Sequence, residues 1–391
     1  MTDTAQPPAQ TDPAGGARDA VTLDNWQDPP FNRWGLSHVT ELVTTAEVSR
    51  HSRAWATSFV RPEPSPLVRD LVPDDYLAET FTEAFLVMRG EEVLDERYLE
   101  GAQPTDRHLL MSVSKSLCGL LVGRLVGQSL IDPEATISTY VPELSGGGYG
   151  DATIQQVLDM TASIDYVEDY HNPAAHVHQQ DRVAGWRPRY DDDPADTYEF
   201  LTTLGPAGRH GLAFQYCSAS TDVLAWVVER CTGQRYADVL GSELWAHLGC
   251  ADDAAITVDS GGFAFANGGV TCTARDLALV GRLVLDGGAA RGEQVVPRAW
   301  VDATLAGGDP AVAAGSIFQS IHDGGSYRNQ WWITGDERGS VFGTGIHGQY
   351  LWLDPTSDVV IVKFSSMPVA VSEESSRKHA SAFRRLTEAL G

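Results

Sequence analysis

The 391-residue chain carries 53 Asp and Glu against 28 Lys and Arg, a formal charge of −25, with 42% hydrophobic and 21% charged residues. That apolar content supports a packed core and is too high for wholesale disorder. The acidity argues against nucleic acid or an anionic membrane as a partner, and no apolar run of about 18 residues predicts a membrane-spanning helix.

Residues 1–20 are rich in Pro, Ala, Gly, Thr and Gln without an aromatic, the composition of a loose tail. Met1-Thr2-Asp3-Thr4 has no basic region followed by an apolar stretch, so no secretion signal is expected and a cytoplasmic location is. Five sparse cysteines without a CxxC pair fit reduced thiols there. The folded body is expected to start near Trp26. Thr82 to Arg89 and Val93 to Tyr98 read as a hairpin joined at Gly90-Glu91. From Ser112 onward, Val113, Leu117, Leu120, Leu121 and Leu125 recur at helical spacing and predict a buried helix to about Val126.

Ile154 to Leu158, Thr197 to Thr203 and Thr221 to Cys231 read as further helices, the last stopped by Gly233. His176-Val177-His178 and Asp191-Asp192-Asp193 are expected in a surface loop and a solvated turn. Thr273 to Asp276 has the pattern of a capping box opening a helix through Leu285. Arg328 to Ile333, Gln349 to Leu353 and Val359 to Phe364 read as antiparallel strands, and a helix from about Glu374 to Leu390 closes the chain. Strands at both ends around a helical middle imply a single α/β (α+β) domain over 21–391. Its body would comprise about 21–130 and 266–391, with a mainly helical subdomain over about 131–265.

All but three basic residues are arginine, and the lysines are Lys115, Lys363 and Lys378. Arginine stays protonated in proteins, whereas a buried lysine can lose its proton. Ser112-Val113-Ser114-Lys115 is an S-x-x-K at the start of the buried helix. Three residues are about one turn, which brings the Ser112 hydroxyl and the Lys115 amine onto one face. A desolvated amine there could take the serine proton and make the hydroxyl a nucleophile. The second S-x-x-K, Ser375 to Lys378, follows Glu373-Glu374 and reads as an exposed helix start without chemistry. Tyr216-Cys217-Ser218 precedes a helix, and a phenol beside a lysine ammonium is expected to have a depressed pKa and relay a proton. Gly343-Thr344-Gly345-Ile346-His347-Gly348 fits a dinucleotide fingerprint only formally, because a strand and not a helix follows. A Gly-rich strand beside a nucleophile suits an oxyanion hole of backbone amides.

Ser-x-x-Lys, Tyr-x-Ser about a hundred residues later and a Gly-Thr-Gly strand near the C-terminus together resemble the serine β-lactamase, D-Ala-D-Ala peptidase and family VIII esterase superfamily. Order and spacing are closest to the class C branch. Within it the chain is most similar to nylon-oligomer amidases, from Leu23-Asp24-Asn25-Trp26 onward and most densely over His108 to Gly119, Asp193 to Phe200 and Phe265 to Val270. The resemblance implies a β-lactamase/transpeptidase-like fold: an antiparallel sheet flanked by helices, with a mainly helical insertion. It makes Ser112 the nucleophile, Lys115 its base and Tyr216 the relay, with the amides of Ser112 and Ile346 as the oxyanion hole. Tyr170, Asp181 and Asn267 fall at substrate-side positions. Tyr170 would bond the scissile amide, and Asp181 would pair with the ammonium of an aminohexanoyl chain. Trp186 is expected to move with a loop that closes over substrate.

Two departures stand out. Gly343 lies where penicillin-recognising relatives usually carry Lys or His, and Ser218 where many have Asn. The implied activity is cleavage of short linear amides through an acyl-enzyme, with no metal or cofactor. The alternative is a short-chain carboxylesterase of the same superfamily. A non-catalytic binding module would instead predict a broken Ser/Lys/Tyr set. A small amide or ester is the expected partner, and relatives suggest a homodimer.

Overall fold

The computed structural model describes residues 17–51 and 63–391. The expected loose tail lies mostly outside the described residues; its last four, Ala17–Ala20, form a helical turn. In chain order the strands are β1 (Thr45–Val48), β2 (Thr82–Arg89), β3 (Glu92–Tyr98), β4 (His108–Leu109), β5 (Ala254–Thr257) and β6 (Val270–Cys272). They continue with β7 (Ala289–Ala290), β8 (Glu293–Gln294), β9 (Ser326–Arg328), β10 (Trp331–Ile333), β11 (Val341–Gly345), β12 (Gln349–Asp354) and β13 (Val359–Ser365). A seven-stranded antiparallel sheet runs β3-β2-β13-β12-β11-β10-β9, and a four-stranded one runs β1-β5-β6-β4.

The large sheet is covered on both faces, which explains the near-continuous apolar run of β13. Ala84, Leu86 and Met88 of β2 and Val360, Val362 and Phe364 of β13 join the core with the Val113–Gly127 and Ala274–Leu285 helices. Phe85, Val87, Val359 and Ile361 point the other way, onto Phe383 and Leu386 of the closing helix, Glu373–Leu390. Helices on both sides of one sheet, with the helical stretch 131–248 inserted between its first and last strands, is the architecture expected. The Val113–Gly127 helix is buried around its whole circumference over its first eleven residues, the mark of a helix through the core. Among the described residues no helix is long and apolar enough to cross a membrane.

Several local expectations need correction. Arg328 to Ile333 is a hairpin and not one strand: Asn329 and Gln330 both have positive φ, 51° and 68°, the geometry of a two-residue turn. Tertiary bonds impose it, since Gln330 N–H donates to the Leu158 carbonyl (3.0 Å) and its own carbonyl accepts from Ser116 Oγ (2.9 Å). Residues 254–257, assigned to the helical subdomain, are β5, a central strand of the smaller sheet. His176 to His178 opens a helix, His176–Val183, and does not lie in a loop. Asp193 is not solvated; both carboxylate oxygens accept from Arg182 at 2.8 Å.

Candidate active site

The smaller sheet delivers the chain to Ser112. Leu110 N–H continues the register of β4 by donating to the Val270 carbonyl at 2.8 Å. Met111 then turns with φ of 49°, a left-handed conformation that a long side chain adopts only under tertiary constraint. That turn sets Ser112 at the mouth of the core helix, partly exposed, while Lys115 one turn later is 1% exposed.

Lys115 Nζ donates to Ser112 Oγ at 2.7 Å and to the Asn267 carbonyl at 2.8 Å. Burial lowers the Lys115 pKa from 10.5 to about 8, against the pull of Glu168, Asp222, Cys217 and Asp181. The ammonium lies 5.1 Å from the centre of the Tyr216 ring, and Ser112 draws the Tyr216 pKa down. The depressed Tyr216 pKa expected beside an ammonium is not found. Burial first, and then Glu168, push it up, so the group is a phenol at neutral pH and an acid in reserve. Its backbone is fixed through its neighbours: Gln215 N–H donates to the Met160 carbonyl (2.7 Å), and the Gln215 side chain bonds both N–H and C=O of Ile164. Trp332 stacks on the Tyr216 ring at 5.4 Å and 19°.

The Gly-rich segment ends β11 directly over the helix start. A Cβ on Gly345 would lie 2.6 Å from the Leu110 carbonyl oxygen and 2.9 Å from Ser112 N, so this approach requires bare backbone. Ile346 follows in a short turn pinned on its far side. His347 N–H donates to the Ala370 carbonyl (3.0 Å), and Gln349 Nε2 donates to the Ser365 carbonyl (2.7 Å). Gly343 faces the core helix, where a Cβ would meet Ser116 Oγ at 2.8 Å. The position that carries a cation in penicillin-recognising relatives is therefore closed here to any side chain without rearrangement.

The remaining expected residues divide by role. Asn267 is committed to buried partners: its side-chain amide donates to Asp222 at 2.7 Å, its N–H to the same carboxylate at 3.1 Å, and its carbonyl holds Lys115. Asp222 is fully buried and also accepts from Gln180 Nε2 at 2.6 Å; burial raises its pKa to about 7. Asp181 lies on the His176–Val183 helix, nearly buried, with Arg187 Nε 3.2 Å from its carboxylate, and burial raises it to about 6. Trp186 sits in a bend just after the His176–Val183 helix. It is 3% exposed, donates from Nε1 to Thr257 Oγ1 (3.0 Å), and meets Trp26 and Phe265 edge-on. It shares an apolar cluster with Met111 and Ile346, the neighbours of Ser112 and Gly345.

Glu168 escaped the sequence reading. Oε1 accepts from Tyr170 Oη (2.7 Å) and Ser218 Oγ (2.8 Å), and Oε2 from Ser218 N–H (2.7 Å). Ser218, the departure from Asn, thus engages Glu168, and Lys115 is oriented instead by Asn267 and Ser112. Glu168 was hidden in the acidic stretch Asp165 to Tyr170, which has the composition of a solvated loop. Asp222 and Gln180 carried no motif, and only helical phase could have pointed inward.

A beta-lactamase family model matches residues 77–383. The chain is 55% identical over 368 residues to 6-aminohexanoate-dimer hydrolase from Paenarthrobacter ureafaciens, covering 93% of this chain and 92% of that one. A solved structure of a candidate 6-aminohexanoate-dimer hydrolase from Bacillus anthracis superposes with a TM-score of 0.86 at 28% identity, over 97% of this chain and 99% of the other. EstCE1, a hydrolase with promiscuous acyltransferase activity, shares the fold at a TM-score of 0.63 and 16% identity, over 81% of this chain and 97% of the other. With the sheet order, the Ser-Lys pair and the family match in agreement, the chain belongs to the beta-lactamase family.

Proposed function

We propose that the chain is a serine amidohydrolase that cleaves short linear amides of the 6-aminohexanoate-dimer type through an acyl-enzyme on Ser112. The observation that carries this reading is Lys115 Nζ, buried and 2.7 Å from the Ser112 hydroxyl. Neutral Lys115 takes the Ser112 proton as Oγ bonds to the substrate carbonyl carbon, and the carbonyl oxygen gains charge beside the amides of Ser112 and Ile346. The C–N bond then breaks, and the amine leaves with a proton from Tyr216, which Lys115 replaces. Water repeats the sequence on the acyl-enzyme and restores Ser112. Tyr216 serves as a neutral donor, consistent with the upward push of its pKa.

Substrate selection follows from the same residues. Asp181 attracts the ammonium end of the chain, Tyr170 meets the scissile amide, and Trp186 with Trp332 lines a five-methylene chain. All five cysteines are free, four of them buried, which supports a reducing, cytoplasmic setting. The test is hydrolysis of the 6-aminohexanoate linear dimer beside a short-chain p-nitrophenyl ester, with Ser112→Ala and a fluorophosphonate label. Dimer cleavage and labelling that both vanish in the variant are expected. Ester cleavage without dimer cleavage would return the reading to a carboxylesterase.

A further inference from the structure

We infer that Glu168 is a positioning residue that fixes the polarity of Tyr170, so that Tyr170 accepts a hydrogen bond from substrate and thereby favours amides over esters. This deepens the proposed function and rests on its assignment of Tyr170 to the scissile bond.

The argument begins with donors and acceptors. The Tyr170 hydroxyl has one proton, and that proton is spent on Glu168 Oε1 at 2.7 Å. What remains on its oxygen for a bound substrate is a lone pair. An amide nitrogen bears an N–H that can donate to it, whereas the corresponding ester oxygen has no proton to give. The unpinned hydroxyl could rotate and serve either substrate; the pinned one serves the amide. Accepting from the scissile N–H also fixes the plane of that nitrogen, so its developing lone pair can be aimed towards the Tyr216 proton.

Glu168 is itself held in one orientation. Ser218 N–H donates to Oε2 at 2.7 Å and Ser218 Oγ to Oε1 at 2.8 Å. A backbone N–H can only donate, so the atom at the Oε2 position must be an acceptor. This makes Glu168→Gln a designed inversion at constant shape. The introduced amide must turn its oxygen to Ser218 N–H, which places its NH2 at the present Oε1 position. Tyr170 then accepts from that NH2 and points its own proton into the site, against the substrate N–H. Two donors facing each other leave a buried hydrogen bond unmade.

The experiment compares kcat/KM for the 6-aminohexanoate linear dimer and a short-chain p-nitrophenyl ester in wild type, Glu168→Gln and Tyr170→Phe. Rates are taken on the alkaline plateau, because Glu168 also acts on the Lys115 titration. In Glu168→Gln the amide-to-ester ratio is expected to fall roughly tenfold to a hundredfold, the size of a discrimination that turns on one unmatched polar contact. Equal losses on both substrates, or an unchanged ratio, would overturn the inference. If Tyr170→Phe leaves the ratio unchanged, the assignment of Tyr170 fails. If it lowers the ratio while Glu168→Gln does not, the Glu168 inference alone fails. Should the Gln variant not fold, Glu168→Ala, which frees the hydroxyl to rotate, is expected to lower the ratio by a smaller factor, and an unchanged ratio there is equally fatal.

Discussion

If Lys115 must be neutral to receive the Ser112 proton, acylation must follow its titration. Burial sets that pKa at about 8, and the base is the form that works, so activity is lost as pH falls. At pH 6 about 1% of the molecules hold a neutral amine and at pH 8 about half, which makes the expected rise about fiftyfold across that interval. The assay is kcat/KM for an uncharged p-nitrophenyl ester from about pH 5.5 to 9.5, because Asp181 titrates near 6 and would confuse the profile of a cationic substrate. A second arm assigns the acid limb. Asp222 is one of the carboxylates that hold the Lys115 value up, so Asp222→Asn is expected to move the limb to lower pH. A flat profile between pH 6 and 8, a limb near the ordinary lysine value, or a limb that stays put in the variant would refute the reasoning.

The same charges make separable claims. Asp181, raised to about 6 by burial, loses its charge as pH falls through that value, so KM for the dimer, whose ammonium end it would hold, is expected to rise below it. Asp181→Asn should raise KM and abolish that pH dependence, with KM for an uncharged ester unmoved. His108 is 3% exposed, and burial lowers it to about 4. Between 4 and 6.5 the unfolded chain therefore binds the proton that the folded one refuses, and stability rises with pH. Urea titrations should show the wild-type slope in that window steeper than that of His108→Gln by about 1.4 kcal/mol per pH unit; equal slopes would discount the histidine. Trp186→Ala opens the wall beside Met111 and removes the bond to Thr257, with an expected loss of about 3–5 kcal/mol in stability. Once the fold is confirmed by its melting curve, KM for the 6-aminohexanoate dimer should rise, and unaltered kinetics would remove Trp186 from the pocket.

Legibility in the sequence tracked how local the physics is. The Ser112-Lys115 pair, the β2–β3 hairpin, and the helices Ile154–Leu158 and Thr197–Thr203 are set by spacing, turn residues and caps within a few positions, and their bounds were readable. The β9–β10 turn was not, because Gln330 has no intrinsic preference for positive φ; partners on Leu158 and Ser116 hold it there. β5 was missed for a related reason: four residues become a central strand only once β1, from the far N-terminal part of the chain, pairs on the side opposite β6.

The site shows the same division more sharply. Motif spacing pointed to the Ser112-Lys115 pair, which the structure brings to 2.7 Å, but not to the groups that set its protonation. Lys115 is shifted by burial and opposed by Glu168 and Asp222, which lie 53 and 107 positions downstream. The expected acidic Tyr216 failed on the same ground. An ammonium 5.1 Å from the ring centre was visible in prospect, but the desolvation that outweighs it is a property of the packed core. Relatives that carry Asn at the Ser218 position and a cation at the Gly343 position would surround the same Ser-Lys pair with different partners. Here the space at Gly343 is filled by Ser116, and Ser218 is turned to Glu168. On the proposed reading, one Ser-Lys pair can therefore be common to the family, while side chains that bond to it and to Tyr170 from behind make the choice between amide, ester and lactam.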